Sequence, residues 1–227
     1  RIGVGSTTTA ALATTQWFGI SIGSGASNTV VGDVTSASGN LIAHNGTSGG
    51  VAIQTGSTGN TIRRNSIWGN TGIGIDLADD GITANDGTTT VGGANLLTDK
   101  PVISTGNLVG SDLALTGYVG SAAGQSAFAN NVVEFYISDV SSAAGSGEVY
   151  LGSLTTDANG NFSGTLDVTG LGLTLSHSIT ASATDVAGNT SEFAVNFGAN
   201  VAPTAVADTA NAVEAGGVVN GSAGSDP

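Results

Sequence analysis

Gly50-Val51-Ala52-Ile53, Asn60-Thr61-Ile62 and Asn65-Ser66-Ile67 are three short apolar phrases, each opened by Gly or Asn, and the set recurs along the chain. An earlier copy reads Gly19-Ile20-Ser21-Ile22, Asn28-Thr29-Val30 and Asn40-Leu41-Ile42, and a third opens at Gly72-Ile73-Gly74-Ile75. The copies start at residues 19, 50 and 72, so the spacings are 31 and 22 residues. Three short strands per period describe one coil of a β-solenoid, a unit that cannot bury its own apolar face and must stack on its neighbours. Within the phrases the apolar residues alternate, as Ile20 with Ile22, Val51 with Ile53 and Ile73 with Ile75. Period-two alternation puts them on one face, the expected interior, with Ser21, Ala52 and Gly74 facing outward.

Asn28 and Asn60, Asn40 and Asn65, and Asn45 and Asn70 hold matching places in successive copies. Asn tolerates left-handed backbone at bends, and stacked copies can hydrogen-bond from one coil to the next, so these residues read as scaffold. The longer first copy carries its extra residues at 32–39, a small polar insertion that can leave the stack without breaking it.

The composition agrees with an all-β chain. Of 227 residues 37 are Gly and only 9% are charged, so helix-forming Glu, Lys and Arg are scarce while turn residues abound. With no cysteine, no disulfide can staple the fold. The formal net charge is −13, and the basic residues are Arg1, Arg63, Arg64 and Lys100 alone. Nucleic acid and anionic membrane surfaces are therefore excluded as partners, whereas divalent cations suit such a surface. No apolar run approaches the ~18 residues that a membrane helix needs, so membrane insertion is not expected. Both ends read as cuts in a longer polypeptide. Arg1-Ile2-Gly3-Val4 looks like the last strand of a preceding coil, and Gly224-Ser225-Asp226-Pro227 stops without a closing strand.

From Lys100 the pattern changes. Strands are expected at 102–105, 113–118, 132–137, 149–154, 162–168, 178–183 and 192–197, and seven short alternating strands in about 100 residues read as a β-sandwich. Val133, Phe135 and Ile137 alternate with Glu134, Tyr136 and Ser138, the pattern of a sheet with one buried and one wet face. Asp157-Ala158-Asn159-Gly160-Asn161 and the stretch from Asp185 to Glu192 are turns; Asp157, Asn159 and Asn161 alternate in a calcium-like way, but no closing Glu follows. The expected divisions are 1–98, 99–198, and a linker with the start of a further module at 199–227.

Several of these runs resemble known families. Arg1-Ile2-Gly3-Val4, Gly25-Ala26-Ser27-Asn28-Thr29-Val30-Val31-Gly32 and Gly39-Asn40-Leu41-Ile42-Ala43-His44-Asn45 resemble the right-handed parallel β-helix repeat family, which includes pectate-lyase-like proteins and large bacterial surface proteins. Thr156-Asp157-Ala158-Asn159-Gly160-Asn161-Phe162-Ser163 and the stretch from Ala183 to Phe193 resemble bacterial immunoglobulin-like repeats. Ala202-Pro203-Thr204-Ala205-Val206-Ala207-Asp208 resembles the opening of cadherin-like or VCBS repeats. The resemblance implies the end of a right-handed parallel β-helix followed by an immunoglobulin-like β-sandwich, in a secreted or cell-surface bacterial protein.

Candidate sites are few. Asp76, Asp79, Asp80, Asn85 and Asp86 lie within eleven residues, and calcium takes six to eight oxygens from such flexible acidic segments, although the spacing is not that of an EF-hand. Asp208 and Glu214 are further calcium candidates at a module junction. β-helix lyases use an Arg or Lys base, and β-helix hydrolases use clustered carboxylates. Here Asp33 is the only carboxylate before Asp76, and the bases are Arg63, Arg64 and His44. Adjacent Arg63 and Arg64 on a strand point to opposite sides. His44 reads as a turn residue, and His177 between Ser176 and Ser178 makes no triad. No catalytic residue is assigned. The expected function is a structural or adhesive segment of a large modular exported surface protein, calcium-stiffened at its junctions, whose partner is an extracellular polysaccharide or another cell surface. The alternative is the tail of a β-helix polysaccharide lyase, hydrolase or epimerase, or a polysaccharide-binding module using Trp17, Phe18 and Trp68.

Overall fold

The computed structural model describes residues 1–5, 9–12, 16–33, 35, 39–139 and 144–200. Seven three-residue strands come first: β1 (Ile20–Ile22), β2 (Val30–Gly32), β3 (Leu41–Ala43), β4 (Val51–Ile53), β5 (Thr61–Arg63), β6 (Ser66–Trp68) and β7 (Ile75–Leu77). They pair in parallel as β1-β4-β7, β2-β5 and β3-β6. Register follows the repeated phrases in β1 and β3, with Ile20 beside Val51, Ile22 beside Ile53 and Ile42 beside Ile67, but β2 is shifted by one residue, so that Val31 and not Val30 stands beside Ile62. These apolar columns are buried apart from the half-buried Ile20, and Ile42, Val51 and Ile53 are fully so. The matched asparagines are scaffold. Asn70 Oδ1 accepts the Asn45 N–H at 3.0 Å, Asn65 Oδ1 accepts the Asn40 N–H at 2.9 Å, and Asn60 Oδ1 accepts the Thr29 N–H at 3.1 Å. The third copy enters two residues later than its glycine suggests: Val51 pairs with Ile75 and Ile53 with Leu77, so Ile73 precedes the strand.

The expected parallel β-helix is not what forms. Among the described residues the parallel strands fall into separate sheets of three, two and two strands, and no closed or solenoid sheet arises. After β7 the chain runs as a loop over 78–93, so β5 and β6 gain no third parallel neighbour there. Side chains from the C-terminal half take the N–H groups at that edge instead. Thr190 Oγ1 accepts from Ile62 at 2.9 Å, Glu134 Oε2 from Arg64 at 3.0 Å, and Asp139 Oδ2 from Gly69 at 2.5 Å.

The C-terminal half is antiparallel. β8 (Pro101–Val109), β9 (Asp112–Val119) and β12 (Asn161–Asp167) form one sheet in the order β12-β9-β8. β10 (Val132–Ser138), β11 (Gly147–Thr155), β13 (Ser178–Thr184) and β14 (Phe197–Gly198) form the other in the order β11-β10-β13-β14. Leu113, Leu115, Val133, Phe135, Phe162 and Ile179 belong to one buried core in this half, and the Phe135 and Phe162 rings meet edge-on at 5.4 Å. Of the expected strand at 192–197 only its end is strand, as part of β14.

The wet face expected on β10 is absent. Glu134 is 1% exposed and Tyr136 2%, and on β13 Thr180, Ser182 and Thr184 are buried too. The four-stranded sheet is covered on both sides. Tyr136 and Phe193 join Ile42, Ile62 and Ile67 in a second core shared with the parallel strands. An alternation of apolar and polar residues reports which face is apolar; here the polar face is buried through hydrogen bonds, which the alternation does not reveal.

Candidate functional site

The densest polar cluster lies where β10 crosses the ends of β5 and β6. Glu134 projects from the outward face of β10, and its Oε1 accepts from Arg63 Nε at 2.9 Å and lies 3.6 Å from Arg64 Nε. Its Oε2 accepts from the Tyr136 hydroxyl at 2.7 Å and from the Arg64 backbone N–H at 3.0 Å. That same N–H also reaches the Tyr136 oxygen at 3.1 Å. Arg63 and Arg64 do not diverge as neighbours on a strand would. Arg64 follows the last residue of β5 with φ at +54°, and this left-handed residue breaks the alternation so that both guanidinium groups meet one carboxylate. The Arg64 guanidinium also sits 5.1 Å from the centre of the Tyr150 ring, a cation–π contact. Burial, reinforced by the Glu134 charge, holds the Tyr136 phenol well above its ordinary pKa, so it stays a proton donor.

A second cluster gathers the acidic segment. Glu192 accepts from the Thr83 N–H and Oγ1, each at 2.9 Å, and from the Leu77 N–H at 3.3 Å. Lys100 Nζ lies 3.7 Å from Glu192 Oε2 and donates to the Thr83 carbonyl. Asp76, on β7, accepts from the N–H groups of Asp80 and Gly81. Asp99 accepts from those of Asp86 and Gly87. Burial raises the pKa of Asp76, Asp99 and Glu192 above the ordinary carboxylate range against the opposing pull of these N–H donors. Three buried carboxylates thus organise the backbone of one loop.

The calcium candidates do not converge. Asp76 is turned inward onto its own turn, Asp79 and Asp80 are exposed, and Asp86 closes a turn onto Thr88. Among the described residues no three His, Cys, Asp or Glu side chains come together to hold a metal ion. Asp208 and Glu214 lie outside the described residues.

A third set of bonds runs through asparagine and threonine. Asn95 Nδ2 donates to the carbonyls of Asn60 and Thr190 at 2.6 and 3.0 Å, and Asn189 Oδ1 accepts the Gly59 N–H at 2.6 Å. The remaining bases are turn residues. His44 stands edge-on to Trp68 at 4.8 Å, and His177 Nδ1 accepts the Thr174 N–H at 3.0 Å. Of the aromatic candidates Trp17 is 76% exposed, while Phe18 and Trp68 are half-buried. A groove of about 310 Å³ runs beside the start of β8, walled by Pro101, Val102, Ile103, Val195 and Phe197.

The sequence places Glu134 and Tyr136 on a wet face and Thr190 and Glu192 in a turn, and marks none of them as a site residue. One signal was present: Arg63-Arg64 is the only adjacent basic pair, and Glu134 is the sole carboxylate between Asp112 and Asp139.

No family model matches this chain. With the parallel strands in separate short sheets, the resemblance to the right-handed parallel β-helix family is not supported, and the run at 202–208 that resembles cadherin-like or VCBS repeats lies outside the described residues. No helix among the described residues is long and apolar enough to cross a membrane.

Proposed function

We propose that this chain is a non-catalytic structural and adhesive segment of a large, modular, exported bacterial surface protein. The observation that carries this reading is the fate of the candidate bases. Arg63 and Arg64 are bound to Glu134, Lys100 to Glu192 and Thr83, His44 stands edge-on to Trp68, and His177 closes a turn. General acid–base work needs such a group within hydrogen-bond reach of a substrate, and here each is engaged in holding the fold. We read residues 99–198 as an immunoglobulin-like sandwich, on the strength of consecutive antiparallel strands divided between two sheets in the orders β12-β9-β8 and β11-β10-β13-β14.

Trp17 favours an extracellular polysaccharide as the adhesive partner, because an exposed indole offers a flat apolar face to a sugar ring. The test incubates the folded chain with acidic and neutral polysaccharides, recording both retention on the polymer and polymer length. Retention that is lost in Trp17→Ala, with polymer length unchanged, supports the reading. Shortening of the polymer with turnover overturns its non-catalytic part, and equal retention of wild type and Trp17→Ala removes the indole from it.

A further inference from the structure

The edge of β5 and β6 that faces the C-terminal half presents backbone donors at Ile62, Arg64 and Gly69, and each is received by a side chain from that half: Thr190, Glu134 and Asp139. A strand edge with unmet N–H groups is ordinarily covered by another strand or blunted by charge. Here the cover is made by side chains on β10, just past its end and after the turn that follows β13, in sequence positions far from the edge they serve. The same cover supplies Tyr136 and Phe193 to the core of the parallel strands. The turn at 185–189 completes the contact: the Gly188 carbonyl accepts from Thr61 Oγ1 at 3.0 Å, and Asn189 receives Gly59. Glu134 is the centre of this contact, since it is buried and faces two guanidinium groups at once.

We infer that the outer face of the four-stranded sheet is a cap on the parallel strands, locked by Glu134, and that the two halves open as one cooperative unit with no hinge near residue 98. A beads-on-a-string arrangement would leave each module with its own core and a thin contact between them. In this chain the second core draws residues from both halves, so separating them opens a core and leaves buried charges unpaired. The inference does not depend on the adhesive reading: it stands or falls on how the chain opens.

Native-state hydrogen exchange across a denaturant series, on the full chain, tests it. In the wild type the slow amides of Ile62, Arg64 and Leu77 are expected to exchange through the same opening, with the same denaturant dependence, as the slow amides of β10 and β13. In Glu134→Ala the slow amides of β5, β6, β10 and β13 should all exchange at least about tenfold faster, still through one shared opening. If Glu134→Ala does not fold, Tyr136→Phe, which removes one donor to Glu134 and one acceptor for Arg64, should accelerate both halves together, more weakly. Two openings of different denaturant dependence in the wild type would overturn the inference. So would a variant in which β5 and β6 speed up while β9 and β12 keep their rates.

Discussion

At Glu134 one carboxylate meets two guanidinium groups, a phenol and a backbone amide, and each partner removes a different cost of burying it. Deleting one member of such a buried set leaves the opposite charges without a partner, which costs about 3–5 kcal/mol. Glu134→Ala is therefore expected to lower the unfolding free energy by that amount, read from urea denaturation. A loss below about 1 kcal/mol is the behaviour of a surface pair and would show the cluster to be solvated. Moderate salt should not reproduce the effect, because buried charges are poorly screened. Asp76 makes the contrasting case. Its oxygens receive the amides of Asp80 and Gly81, hydrogen bonds that a calcium ion would have to displace. Calorimetric melting with calcium and then with chelator should give the same transition temperature; a rise in calcium would restore the acidic segment as a metal site.

At the scale of elements, the repeated phrases were legible because period-two alternation and matched asparagines both follow from local chain geometry. They give the partners of β1 and β3 residue by residue, and that of β2 one residue out of register, because Asn28 and Asn60 do not stand side by side. The third copy was misplaced by two residues because Gly72 is needed for close packing and not for opening a strand: a Cβ there would collide with the carbonyl of Thr47. Only the shared use of Ile75 and Leu77 sets the register. What covers β5 and β6 was not legible, since Thr190, Glu134 and Asp139 are more than 60 residues away and their polarity alone reads as solvent exposure. Gly49 and Gly92 separate backbone strain from crowding. Both have positive φ, +80° and +86°, but a side chain at Gly49 would strike the carbonyl of Ile73, whereas nothing lies within 4 Å at Gly92. Gly92→Ala should cost only the left-handed backbone penalty of about 1–2 kcal/mol. Gly49→Ala should cost clearly more, or prevent folding, in the same denaturation assay; equal losses would mean that the tight packing there relaxes freely.

For the molecule as a whole, buried carboxylates set the response to acid. Asp76, Asp99 and Glu192 have folded-state pKa values raised by burial, so the folded chain binds their protons more tightly than the unfolded chain does. Stability from these groups consequently rises as pH falls from neutrality through their folded pKa values, and stops rising at the ordinary carboxylate values near about 4. Asp157 and Asp167, held below the ordinary range by hydrogen bonds at fully exposed turns, act with the opposite sign at lower pH. The transition temperature is expected to hold or climb between pH 7 and about pH 5, and Glu192→Gln should flatten that climb. A steady fall over the same interval would contradict the assignment. Arg63, Arg64 and Lys100, three of the four basic residues, are turned inward onto carboxylates. The exterior is consequently close to a bare polyanion, and neighbouring copies anchored in a crowded layer should repel one another over roughly a Debye length, ~8 Å at physiological ionic strength. A tethered film of this chain should swell in dilute buffer and contract on adding salt, a thickness change that reflectometry reads directly, so that the ionic strength of the surroundings sets how closely the molecules stand.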